Sequence, residues 1–128
     1  MYMRTKKALL PLIILLSLPA FSQTVSQTRG DAEIAGLYLE ASRELYAQQN
    51  YAQMLETAQQ SLSFDSHNAA GLFFKAIGLE GTGQIKEALA AFQEAVDADY
   101  RLNRYGIRRE DAVLSFAALL VRVKQYEK

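Results

Sequence analysis

From Asp31 onward, apolar residues recur three and four positions apart between polar runs, the spacing of one face of an α-helix. No stretch alternates with period two as a half-buried strand would, and no proline follows Pro19. Ala, Leu, Glu and Gln dominate, and short breaks fall at Asn50, at Ser66-His67-Asn68, at Gly81-Thr82-Gly83 and from Tyr100 to Gly106. The pattern predicts helices over about 31–48, 51–64, 68–81, 84–98 and 109–127. Asp31 and Asn68 are expected N-caps, with Gly81 and Gly83 at the boundary between the third helix and the fourth. Breaks this short imply antiparallel helix pairs joined by tight turns.

The chain is also similar to itself. Slid along its own length until Tyr38 falls on Leu72, it brings Ser42 onto Ala76, Leu45 onto Leu79 and Tyr51 onto Ile85. The same displacement brings Ala58 to Phe92, Ser61 to Ala95, Leu62 to Val96 and Asp65 to Asp99. Helices approach closely only where side chains are small, and large apolar groups must fill the gaps beside each crossing.

These positions resemble the tetratricopeptide (TPR) family, whose helix-turn-helix unit of about 34 residues has the length of that displacement. The second unit, Ala69 to Leu102, carries Leu72, Ala76, Leu79, Gly83, Ile85, Ala88, Phe92 and Ala95 where the family prefers that size of residue. The first, Ala35 to Asn68, keeps Tyr38, Ser42, Leu45, Tyr51 and Ser61. It departs at Met54, Ala58 and Ser66, the last standing where the family usually has proline. Both units lack the family's large residue at the seventh position, where Ala41 and Lys75 stand. A partial third unit follows after an insertion between Leu102 and Arg109, with Val113, Ala117, Leu120 and Tyr126 in place. The resemblance implies an all-α, right-handed αα-hairpin solenoid over residues 31–128, with units at about 35–68, 69–102 and 110–128.

The N-terminus changes the picture of where this domain works. Arg4, Lys6 and Lys7 precede an apolar run from Ala8 to Leu18, and Ala20 and Ser22 supply the small residues of a cleavage site. The run is too short to span a bilayer, which takes roughly 20 residues, so residues 1–22 read as a secretory signal cut before Gln23. Polar residues 23–30 read as a disordered lead-in. The expected product is exported, in the bacterial periplasm or cell envelope, with no stable membrane anchor.

Charge and cysteine usage narrow the function. The 14 basic and 14 acidic residues balance, and loss of the first 22 residues leaves 11 against 14, unlike a general nucleic-acid binder. With no cysteine, disulfides, thiolate metal sites, thiol catalysis and cysteine-linked lipids are excluded. The single histidine, His67, sits in a turn without partners for a metal or a catalytic triad. Gly78 to Gly83 lacks the strand and the Lys-Ser/Thr ending of a phosphate loop and reads as a helix–helix turn. Arg101, Arg104, Arg108 and Arg109, interleaved with Tyr100 and Tyr105, offer an acidic-partner contact. Glu94, Asp97, Asp99, Glu110 and Asp111 stand close enough to cancel that charge. No catalytic residue, cofactor or metal site is expected.

TPR proteins generally bind peptides in a concave groove made by the first helix of each unit. The resemblance places Leu39, Arg43 and Tyr46 there from the first unit, Phe73, Ile77 and Glu80 from the second, and Leu114, Ala118 and Val121 from the third. The Lys and Asn with which some members clamp a terminal carboxylate are absent, and the groove is apolar and aromatic. A non-enzymatic scaffold that binds a protein, peptide or helix is therefore expected. The alternatives are a recruiting subunit of an envelope enzyme or transport complex and a small-ligand-binding helical domain. Between Ala112 and Val123 only Ser115 and Arg122 are polar, the girth of a helix buried on all sides. Either the sequence is a fragment and further repeats pack on this helix, or the 109–127 helix is buried in a homodimer or against a partner.

Overall fold

The computed structural model describes residues 20–101 and 105–126, with side chains from Gly30 to Arg101 and from Tyr105 to Gln125. The expected signal segment up to Pro19, and Arg104 of the arginine cluster, lie outside the described residues. The chain divides into two compact units, Met1–Asp31 and Ala32–Lys128. The described residues of the first are the opening of a helix; the packed core belongs to the second.

Among the described residues there are five helices and no strand: α1 (Ala20–Ala47), α2 (Tyr51–Phe64), α3 (Ala69–Gly81), α4 (Ile85–Asp97) and α5 (Arg109–Tyr126). The last four start and stop within a residue of the sequence expectation. The first does not. It begins at Ala20, so residues 23–30, expected as a disordered lead-in, are helical, and Asp31 lies inside the helix instead of capping it. Ser, Thr and Gln are polar but cost a helix only a few tenths of a kcal/mol each, and extending a nucleated helix backwards is cheap.

The turns between helices repeat with the chain. At the end of α1, Asn50 N–H donates to the Leu45 carbonyl (2.9 Å) and Gln49 N–H to Tyr46 (3.0 Å). At the end of α3, Gln84 N–H donates to Leu79 (2.9 Å) and Gly83 N–H to Glu80 (3.1 Å). Each of these four residues stands one repeat beyond its counterpart. Gln49 (φ 58°) and Gly83 (φ 82°) both take the left-handed conformation that closes such a cap. Asn50 and Asn68 then open α2 and α3, their side chains accepting from the N–H groups of Gln53 (3.3 Å) and Gly71 (3.1 Å).

α2 packs on α3, α3 on α4 and α4 on α5, and α1 meets α2 where Tyr38 stacks on Phe64 and the Ser42 and Thr57 hydroxyls meet. The positions expected to be small are buried in both units, Ser42, Met54 and Ser61 in the first and Ala76, Ala88 and Ala95 in the second, and so is the position expected to be large, Ala58 and Phe92. The core forms two clusters, one around Leu39, Met54, Phe73 and Phe74, the other around Ala76, Leu79, Phe92 and Leu119. Helices two apart also meet. Tyr46 of α1 sets its ring edge-on to Phe73 (6.2 Å) and Phe74 (5.9 Å) of α3, and Glu80 of α3 forms an ion pair with Arg122 of α5.

In α5 the alignment with the earlier units and the burial part company. Val113, Ala117 and Leu120 occupy the positions of Leu72, Ala76 and Leu79, which α3 buries, yet all three are exposed. Ala112 and Leu119 are buried instead, and Phe116 stacks on Phe92 of α4 (6.1 Å, 18° between planes). In α3 that set of positions packs on α4, the second helix of its own unit; α5 meets α4 with its other face.

Candidate binding face

The nine groove positions separate by burial. Leu39 and Phe73 are 1% and 2% exposed and belong to the core, so neither offers surface to a ligand in this conformation. Tyr46 lies over Phe73 and Phe74 and keeps its outer edge in solvent. Arg43, one helical turn before it, is exposed. Ile77 is half-buried, touching both core clusters. Glu80 is half-buried and tied to Arg122. Leu114, Ala118 and Val121 of α5 are exposed. The face thus has an aromatic floor closed by Tyr46, a cation at Arg43 and an ion pair at Glu80–Arg122. The sequence reading missed Arg122 as a member of this face; its place four residues after Ala118 on the same helix was the available signal.

The described arginines of the loop before α5 are engaged locally. Arg101 makes a forked pair with Asp99, Nη2 to Oδ2 at 2.7 Å and Nε to Oδ1 at 3.0 Å. These bonds, with the Arg101 N–H, hold the Asp99 carboxyl at about 2, below its ordinary 3.8, and raise the Arg101 guanidinium. Arg108 lies 3.9 Å from Glu110 and 4.0 Å from Asp111, both exposed-edge pairs of little energetic weight. Arg109 donates to the Val96 (3.1 Å) and Ala98 (2.9 Å) carbonyls at the end of α4 and stacks over the Tyr100 ring. The Tyr100 hydroxyl donates to the Ala95 carbonyl (2.6 Å), and burial of its ring pushes the phenol up. This cluster closes a helix end and anchors the return of the chain.

His67 is exposed in the α2–α3 turn, beside a cleft of about 260 Å³ lined by Asp65, Asn68, Ala69, Asp99 and Tyr105. No group of His, Asp or Glu among the described residues is placed to hold a metal ion. Gly78 and Gly81 lie within α3, and only Gly83 is in the turn. No described helix is long and apolar enough to cross a membrane.

The architecture is that of an all-helical protein built from packed neighbouring helices. No family model, no curated protein and no solved structure matches the chain.

Proposed function

We propose that this protein is an exported, non-enzymatic TPR-like scaffold that binds a peptide or helix of a protein partner along the face formed by α1, α3 and α5. One observation carries the reading: the first helices of successive units touch each other directly, through Tyr46 on Phe73 and Phe74 and through Glu80 with Arg122. That stacking supports a right-handed solenoid of two full units and a partial third, with its groove positions on one continuous face. The repeated turn hydrogen bonds and the repeated burial at Ser42/Ala76, Met54/Ala88 and Ser61/Ala95 support the same register. The open members, Arg43, Tyr46, Ile77 and Glu80, suit an amphipathic segment with an acidic residue near Arg43.

Capture of partners from envelope extracts on the immobilised protein tests this. Arg43→Glu with Ala118→Glu, both at exposed positions of the face, should abolish capture while the helical circular dichroism persists. Undiminished capture by that double variant would place the site elsewhere. Leu39→Ala and Phe73→Ala are unsuitable probes, because truncating a buried Phe costs roughly 3–5 kcal/mol of stability. Export has its own check. N-terminal sequencing should begin at or near Gln23, and an intact Met1 in the membrane fraction would refute a cleaved signal.

A further inference from the structure

The outward face of α5 is apolar. Val113 is 43% exposed, Leu114 68%, Leu120 46% and Val121 58%, on the side of the helix away from buried Ala112 and Leu119. A turn of about 100° per residue gathers these four side chains and Ala117 into a single stripe. Single exposed apolar residues need no explanation, but a contiguous stripe of them marks an interaction surface.

The order of residues along the stripe says what it fits. Counting outward from Ala117, Leu114 and Leu120 stand three residues away on either side, and Val113 and Val121 four. Seven residues away stand Glu110 on one side and Lys124 on the other, both exposed. The stripe therefore reads the same in both directions in size and shape, and opposite in charge at its two ends. Such a surface is complementary to itself turned end over end. We propose that α5 pairs with α5 of a second copy, antiparallel, about a twofold axis through Ala117.

Each contact then follows from the register. Ala117 meets its own symmetry mate, where a small residue lets two helix backbones approach. Leu114 packs against Val121 of the other copy, and Leu120 against Val113, on either side of the seam. Glu110 faces Lys124 at both ends, giving two ion pairs per dimer. A parallel pair would set Glu110 against Glu110 and Lys124 against Lys124, and is disfavoured. The interface is isologous, so it closes at two copies and buries on both the helix face that α3 covers with α4. A seam of one helix per copy falls at the small end of specific interfaces, below about 1,200 Å², so the dimer should dissociate on dilution. The dimer would cover Leu114 and Val121, two of the α5 groove positions, and leave Arg43, Tyr46, Ile77 and Glu80 to a partner on α1 and α3.

Sedimentation of the full chain across a dilution series, with four variants, tests it. The wild type should move from dimer to monomer as it is diluted. Ala117→Glu, at an exposed position with no fold cost, should abolish the dimer by placing two carboxylates on the axis. Glu110→Lys and Lys124→Glu should each weaken it several-fold, and the double reversal should restore it. Mixing the two single variants should yield heterodimers, because each then supplies the charge the other lacks. A wild type monomeric at every concentration would overturn the proposal, and would mean another occupant covers this face. Association untouched by Ala117→Glu, or charge reversals without mutual rescue, would overturn it as well.

Discussion

The Ser42 and Thr57 hydroxyls lie 2.7 Å apart across the α1–α2 interface, each also within reach of a carbonyl of its own helix, Tyr38 for Ser42 and Met54 for Thr57. Their counterparts in the next repeat are Ala76 and Ala91, both buried. One unit fills this position with a polar pair and the other with two methyl groups. Ser42→Ala alone should cost about 1 kcal/mol, since the bond between helices is lost while Thr57 keeps its own-helix partner. Ser42→Ala with Thr57→Ala, which copies the second unit, should cost less than the two single changes added together. Urea denaturation of all four forms measures that coupling.

Gln49 holds a left-handed backbone that Gly83 holds in the equivalent turn. A side chain there costs roughly 1 kcal/mol that glycine avoids. Gln49→Gly should therefore raise the denaturation midpoint, and Gly83→Ala should lower it. Equal midpoints for Gln49→Gly and wild type would show that the unfolded-state entropy of glycine cancels the gain.

Gly78→Ala should destabilise although alanine is the better helix former. A Cβ at Gly78 would come within 2.8 Å of Leu55 Cβ and 3.0 Å of its Cα, and backbone cannot step aside. Gly30 is the control, with nothing within 4 Å of its would-be Cβ. Gly30→Ala should be neutral or stabilising by up to about 1 kcal/mol. Thermal melts should show a lowered midpoint for Gly78→Ala and an unchanged or raised one for Gly30→Ala.

Arg109→Met keeps the stem of the side chain and removes its bonds to the Val96 and Ala98 carbonyls. The end of α4 should fray, seen as faster amide exchange in the last turn of that helix and its following loop, at a stability cost of about 1 kcal/mol.

Asp99 should titrate late. A carboxyl depressed to about 2 from 3.8 contributes stability that is full above its unfolded value and is lost as pH falls through the folded one. The Asp99–Arg101 pair should thus persist at pH 4 and open towards pH 2. NMR titration of the Asp99 carboxyl follows it, and Arg101→Gln should return the midpoint towards the ordinary value.

The helix ends were legible where their causes are local, Asn68 as a cap and Gly83 at a helix stop; in the sequence Asn50 marks only a break, though its side chain caps α2, and the expected cap Asp31 lies inside α1. The start of α1 was not, because the polar composition of residues 23–30 suggests a lead-in without forbidding a helix, and nothing after Pro19 breaks one there. Burial on α5 was legible only in part. Alignment to the repeat identifies Val113, Ala117 and Leu120 as core positions, but burial depends on which helix lies opposite, and that is a property of the neighbours. Phe116 carried a signal that went unread: it stands at the seventh position, where Ala41 and Lys75 leave the earlier units without a large residue, and it finds Phe92. The division of the candidate face between closed Leu39 and Phe73 and open Arg43 and Ile77 was not legible, since it follows from how Tyr46 settles over the α3 aromatics.

The central helix has a consequence for how this chain acquires its structure. Three of the thirteen residues of α3 are glycine, each costing a helix about 1 kcal/mol against alanine, and nine of the thirteen are buried. On its own this segment is neither a good helix nor a soluble one. It becomes both only between α2 and α4, whose side chains its glycines and alanines admit. This helix should therefore order together with its flanks, and a protease cut in the turn on either side of α3 should leave no fragment able to hold its shape. On that expectation the helices would fold as one cooperative unit, set by the weakest of them, and not piecemeal.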